Sequence, residues 1–301
     1  MSARVPVERT ISDAYKFAFA RFFSVFGIVW LPYLLFALIA IGLVLLVAPD
    51  LPRLIMVHEL DIPALIGLGR LAGLLAILGF IVGAMVTVGV QRKALGKHPR
   101  PVYFFFSLGA GVWRMAAAFF LAGLVIFFIA LLTAGLCVAI WFAARGMGGA
   151  VWPVRALAIF IGVAFDFYIA LRLLFFLPAV AVAEETIGIE RAWVLGGHNF
   201  WRILIVTIAV VIPVAIAFHI LSWAIFGAFA NLSGFGAHLT VREILRAMFL
   251  QAGTAWPLVL AFQLVERIVL IGVLNGAAAS AYLAVTSNPS AGTAAAAVGT
   301  T

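Results

Sequence analysis

Five stretches of this chain, residues 24–48, 71–91, 115–143, 156–183 and 203–226, each run twenty residues or more with scarcely a charged side chain. No other feature restricts the fold so severely. About 20 apolar residues in a helix span the roughly 30 Å hydrocarbon core of a bilayer. Peptide groups in lipid have no water to bond, so each run must satisfy its own backbone as an α-helix. A transmembrane barrel is excluded, because its strands alternate polar and apolar residues over about 10 positions. Hydrophobic residues make up 66% of the 301 positions and charged residues 10%, where soluble domains carry about 25% charged residues.

A less continuous apolar run near 256–284 brings the expected spans to six, at about 24–48, 66–91, 115–143, 156–183, 203–226 and 256–284. The first run follows a segment with Glu8, Asp13 and four basic residues, and it is too long for a cleavable signal. It reads as a retained first span. Residues 1–286 form one all-α polytopic membrane domain in this reading, and the low-complexity tail 287–301 is disordered.

Basic residues set the orientation. The N-terminal segment and the joins between spans two and three and spans four and five hold eleven Lys and Arg; the opposite loops hold five. The positive-inside rule places both termini in the cytoplasm. The net charge of +8 is explained by that asymmetry, so no nucleic-acid partner is expected. The lone Cys137 makes neither a disulfide nor a zinc site, and it reads as a small apolar residue.

The three basic segments share a pattern. "SDAYKFAFARFFSVF", "YFFFSLGAGVWRMA" and "IERAWVLGGHNFWRI" each join an aromatic-rich stretch to an arginine at the mouth of a span. The reading is three tandem units, each an elbow helix lying in the membrane interface followed by a helical hairpin. Ser12 and Thr186 are the expected caps of the first and third elbows. Trp193 and Trp201 are the expected interface anchors. In the last distal loop, "TVREILRAMFL" reads as a short amphipathic helix with Thr240 and Glu243 as a capping box.

Charges inside the spans are the candidate site. A charge deep in a span costs about 2.5–3.5 kcal/mol on insertion scales, so each needs a mate or water. Asp166 and Arg172 are six residues apart in span four, about 240° around a helix, so they do not face each other. Span six supplies Glu266 and Arg267. Counting about 1.5 Å per residue from the loop ends, Asp166 and Glu266 lie at matched depth. The expected pair is Asp166–Arg267, with Arg172 reaching Glu266 or snorkelling to the interface. Such a cluster either locks spans four and six together or lines a path for a proton, ion or polar head group. Gln263 and Asn275 of span six suit either arrangement.

Motifs for catalysis are missing: there is no H-E-x-x-H and no nucleotide-binding glycine loop. Ser233 and His238 in "NLSGFGAH" lack the glycine frame of a serine nucleophile. His219 in span five reads as a hydrogen-bonded core residue. No metal or other cofactor is expected.

The segment 168–203, "YIALRLLFFLPAVAVAEETIGIERAWVLGGHNFWRI", carries a resemblance. Tyr168, Arg172, Pro178, Glu184 or Glu185, Trp193, Gly197, Asn199 and Trp201 fall in an order that resembles uncharacterised six-span bacterial inner-membrane proteins. Those proteins are related to the membrane domain of glycerophosphodiester phosphodiesterases. His198 stands between Gly197 and Asn199, a departure from that pattern. The resemblance implies the membrane module alone. The phosphodiesterase chemistry of the two-part proteins belongs to a separate soluble barrel of about 250 residues, and no such length lies outside the expected spans. The chain is therefore expected to be non-enzymatic, interacting with membrane lipids or another membrane protein; the alternative is a small transporter or channel using the charges of spans four and six.

Overall fold

The structure, a computed structural model, describes residues 4–47, 62–98, 100, 103–146, 151–230 and 241–287. Its helices are α1 (Val7–Ala20), α2 (Phe22–Val47), α3 (Ile62–Ala94), α4 (Ala110–Ala143), α5 (Val151–Leu174), α6 (Leu177–Ala183), α7 (Ile189–Gly197), α8 (Phe200–Ala230) and α9 (Val241–Thr286). Among the described residues there is no strand. Six segments are long and apolar enough to cross a membrane: Phe22–Leu43, Gly69–Ala94, Ala110–Ala143, Trp152–Ala183, Phe200–Ile225 and Ala261–Thr286. The protein is an all-α polytopic membrane protein. The capping residue Thr240, the pair Ser233 and His238, and the tail from residue 288 lie outside the described residues.

The two described ends of the chain meet on one side, the terminal face. Val5 is tied to Asn199 and Arg202, and Arg9 shares a small pocket with Leu283 and Ser287. α9 stands at the centre, packed on α1, α2, α3, α8 and α6. α4 and α5 form a hairpin, and α5 also packs on α7 and α8. The buried core sits almost wholly in the terminal half of the bundle. Val25–Val29, Val82–Val90, Val112–Ala122, Ile169–Val182, Ile203–Val214 and Ile268–Tyr282 bound its contributions from the spans.

Pro178 explains the break in span four. A proline lacks the amide hydrogen, and its ring clashes with the carbonyl four residues back. That carbonyl belongs to Leu174, where α5 ends. The chain turns at Phe175–Phe176 and resumes as α6, with Pro178 in its first turn. Phe176, Leu177, Ala179 and Val180 are fully buried, so α6 is a short plug inside the bundle, against α3, α4 and α9.

The elbows depart from expectation in three ways. α1 does not lie flat. Ala18 sits beside Gly272, Ala14 and Phe17 beside Gly276, and Asp13 beside Ser280. One turn of α1 matches one turn of α9 in opposite sequence order, so α1 runs antiparallel to a spanning helix. The small residues at 272, 276 and 280 permit that close approach. The second elbow is not a helix. Residues 103–109 form an irregular strap, and α4 begins only after Gly109, whose backbone is extended. Of its aromatic side chains, Phe105 packs between α2 and α3, while Tyr103, Phe104 and Phe106 are exposed. Trp30 Nε1 donates to the Tyr103 carbonyl at 3.0 Å, and a Cβ on Gly89 would lie 2.9 Å from the Phe105 ring. The expected caps are also displaced. Ser12 is inside α1, which starts at Val7, and α7 starts after Gly188, a residue with φ of 64°, not at Thr186. Finally, the expected short helix after residue 240 and the sixth span are one continuous helix of 46 residues, about 69 Å long.

Candidate functional site

The resemblance segment folds into a latch on the terminal face. Gly196 and Gly197 end α7, and both face Arg172 of α5. A Cβ on Gly196 would run into the Arg172 backbone carbonyl, and one on Gly197 into its guanidinium. Only glycine lets α7 lie this close. The guanidinium stacks 3.7 Å over the Trp193 ring, donates to the Trp193 carbonyl at 3.2 Å and donates to the Tyr168 hydroxyl at 2.9 Å. A desolvated cation on an indole face is stabilised by about 2 kcal/mol. Asn199, buried, accepts from the Val5 amide at 3.0 Å, and Arg202 donates to the Val5 carbonyl at 2.7 Å. The element from Gly196 to Arg202 thus closes an elbow and pins the N-terminal segment.

The two glutamates beside α6 complete the latch. Glu184 accepts from Tyr282 of α9 at 3.0 Å and from Arg191 of α7 at 3.3 Å. Glu185, with φ of 56°, pairs with Arg114 of α4 at 3.6 Å and accepts from it through its carbonyl. Lys97 donates to the carbonyls of Val182 and Ala183 at 2.9 and 3.2 Å. These are the last carbonyls of α6, which have no intrahelical donor. Every span except the first sends a polar contact or a packed helix into this region.

The expected charge cluster is not assembled. Arg172 is spent on Trp193 and Tyr168. Asp166 accepts from Thr133 of α4 at 3.1 Å. Arg267 lies over the Tyr33 ring of α2, 5.7 Å from its centroid. Glu266 lines a groove between α8 and α9 with His219, Ser222 and Gln263. Among the described residues no ion pair joins any two of the four. Matched depth was a sound premise, but neighbourhood decides pairing. α5 packs chiefly on α4, α7 and α8, and α9 on α1, α3 and α8. Adjacent residues on a helix point about 100° apart, so Glu266 and Arg267 serve different neighbours. His219 borders the open groove, not a closed core.

The expected anchors divide. Trp201 is 72% exposed and stands edge-on to Phe200, ring centroids 5.2 Å apart. Trp193 is half-buried beneath Arg172, so its ring is engaged inside the protein and does not face outward as an interface anchor would.

The structure also shows what sequence reading missed. A cavity of about 400 Å³ lies between α3, α4, α5, α6, α8 and α9. Phe119, Phe167 and Pro178 are among its apolar walls, and Thr87, Thr207 and Asn275 are its polar ones. Thr207 Oγ1 is buried without a hydrogen-bond partner among the described residues. Gln91, one turn beyond Thr87 on α3, is fully buried, and neither end of its amide has a partner there. Polar residues facing inward within apolar runs were the available signal, and Asn275 alone drew notice.

Comparison of the chain with protein-family models, with curated proteins and with solved structures found no match. The site and fold therefore stand on their own geometry.

Proposed function

We propose that this is a non-enzymatic module of a bacterial inner membrane, with both termini cytoplasmic, whose work is contact with lipid or with a membrane partner. One observation carries the reading. The last span is 61% buried over its most apolar window, whereas the other five are buried only between 17% and 33%. Five spans offer most of their surface outward, and that surface is leucine, isoleucine, valine and phenylalanine. The excess of Lys and Arg on the terminal side supports the orientation. The resemblance of residues 168–203 to the membrane domain of glycerophosphodiester phosphodiesterases supports a module without chemistry of its own. The transporter or channel alternative asked Asp166, Arg172, Glu266 and Arg267 to line one path; their dispersal among separate partners removes that support.

The test is extraction of the full chain from native membranes in polymer discs, followed by mass spectrometry of co-extracted lipid and protein. Enrichment of particular lipids over the bulk membrane, or of one protein partner, is expected. Bulk lipid composition with no partner, together with proton or ion flux in reconstituted vesicles that Glu266→Gln abolishes, would overturn the proposal in favour of transport.

A further inference from the structure

We propose that the groove between α8 and α9 binds a protonated organic amine carried on an apolar body. The inference goes beyond the lipid-or-partner reading above and does not rest on it. The groove holds about 560 Å³, within the range of small-molecule sites, about 300–1,000 Å³. Its acidic wall is Glu266, and among the described residues no Lys or Arg lines it. The carboxylate finds no cation elsewhere either. Among the described residues Glu266 makes no ion pair and no hydrogen bond. The adjacent cation, Arg267, is turned to the Tyr33 ring. Ionisable residues inside a span pair with a mate or border a wet cavity, and a mate for Glu266 from outside the chain must be positive.

The geometry of the seam narrows the kind of cation. Phe218 and Phe262 meet edge to face, ring centroids 5.6 Å apart, so these two residues stand at one level. α8 leaves the terminal face at Arg202 and α9 returns to it at Leu283. Glu266 therefore lies about 6 Å nearer that face than the ring pair, and Ser222 about 6 Å farther from it. Gln263 and His219 stand between them, so the carboxylate is the inner end of a polar strip. Gln263 is one turn from Glu266 on the same side of α9, and its amide oxygen is a second acceptor. An ammonium has several N–H donors and no acceptor, and aromatic rings attract it. Hard divalent metal ions take about six to eight oxygen ligands, and among the described residues no three His, Cys, Asp or Glu gather to hold one. The Phe218 and Phe262 rings and Ile216 give apolar surface for a hydrocarbon body to cover. Ile216 is 53% exposed, so the groove is open sideways.

The test places the full chain in phosphatidylcholine nanodiscs with a diazirine-tagged dodecylamine, or with dodecanol carrying the same tag. Relative to peptides of α4, the amine should label peptides spanning 215–222 and 262–266 at least about tenfold more than the alcohol, the margin of one charge-assisted hydrogen bond. Glu266→Gln keeps the shape of the side chain and removes its charge, and it should bring amine labelling down to the alcohol level. Competitors then separate two sources of the amine. Phosphatidylethanolamine added to the disc displaces the probe if the group belongs to a lipid; phenethylamine added to the water displaces it if the ligand is soluble. Displacement by neither, equal labelling by amine and alcohol, or labelling unchanged in Glu266→Gln overturns the proposal. A membrane protein that co-extracts with the native chain and is lost in Glu266→Gln, with no preference for the amine probe, would assign the groove to a basic residue of a partner helix and also overturn it. The amine-to-alcohol comparison uses the native chain, so it decides even if Glu266→Gln does not fold. Lipid or partner enrichment in native extraction that persists in Glu266→Gln keeps the broader reading standing whatever becomes of this groove.

Discussion

The terminal and distal halves of this bundle are built from the same helices and held by different means. Near the terminal face, small residues and polar clamps bring backbones together. Gly276 lies against Phe17 and Ala14, Gly89 against Ile28 and Phe105, and Gly196 and Gly197 against Arg172. Away from it, α4 between Leu124 and Phe142 and α5 between Trp152 and Phe165 expose large apolar side chains on most faces. Lipid tails are as apolar as leucine, so hydrophobicity does not join helices inside a bilayer; close packing and hydrogen bonds do. The chain sets its closest glycine contacts and the Arg172, Glu184 and Glu185 clamps in one layer and leaves most of the other half of each helix to its surroundings. A rigid base carrying loosely associated distal arms is the arrangement that suits reception of lipid or a partner.

Glycine substitutions give the sharpest contrast between the halves. Gly196→Ala forces the α7–α5 contact apart and is expected to lower stability by about 3 kcal/mol or more. In the distal half, a Cβ on Gly123 or Gly135 meets nothing within 4 Å. Alanine there should be neutral or stabilise by about 0.5–1 kcal/mol through helix propensity. Melting temperatures of purified variants in one detergent check both. Similar losses at 196 and 135 would erase the distinction. Gly162 is an informative intermediate. It lies where α4 and α5 touch closely in the distal half, a Cβ there lying 2.9 Å from Thr133 Cγ2 and 3.2 Å from Cys137 Sγ, so alanine should cost less than at 196 and more than at 135.

Arginine roles offer the next test. Arg172→Met removes the stacking on Trp193 and strands the Tyr168 hydroxyl and Trp193 carbonyl, an expected loss of about 2–3 kcal/mol. Asp166→Asn and Arg267→Gln, combined in a double-mutant cycle, should be additive within about 0.5 kcal/mol, as for residues without a shared partner. A coupling well above that would restore the ion pair that depth alone suggests. A larger penalty at Asp166 than at Arg172 would move the structural weight toward the distal half.

How far the sequence could reach is visible in the same residues. Six spans were legible because backbone physics in lipid leaves helices no alternative. Pro178 marked its own break, since a missing amide hydrogen acts within one turn. Arg172, Trp193, Gly197 and Asn199 were legible as a constellation but not as a contact, because nothing local says that the guanidinium turns back onto α7. The partners of Asp166 and Arg267 were not legible at all. Depth can be counted along a helix, but the order and rotation of helices in a bundle are set by tertiary contacts, within a hairpin for Asp166 and Thr133 and across most of the chain for Arg267 and Tyr33. The strap at 103–109 misled for a related reason: four consecutive residues, Tyr103 to Phe106, fit an interfacial helix equally well until α2 and α3 seat Phe105 and leave the other three exposed.

Gln91 tests whether the terminal half is as complete as its packing suggests. Leaving a buried polar group without a partner costs about 1–3 kcal/mol. Gln91→Leu keeps the bulk of the side chain while removing both orphaned ends. It should raise stability by about 1–2 kcal/mol, read as an upward shift in melting temperature. A downward shift would mean that an ordered water or a bound molecule serves the amide, and would mark α3 between Thr87 and Gln91 as a wet seam through the base.

The smallest expected effect concerns Tyr15, where α1 meets α8. Its hydroxyl donates to the Ala209 carbonyl at 2.9 Å, and burial pushes its pKa above the ordinary 10.0. The neutral phenol is the form that the folded state favours. Its contribution is therefore full below pH 10 and declines as pH rises through the higher folded value, since the unfolded chain releases the proton first. Tyr15→Phe should cost about 0.5–1 kcal/mol at neutral pH, the value of one net hydrogen bond, and should flatten the fall in melting temperature above pH 10 relative to the native chain. If both proteins decline in parallel, α1 is not held through this phenol, and its attachment to the base rests on the Gly272–Gly276 contact, the Asp13–Ser280 hydrogen bond and the Val5 clamp.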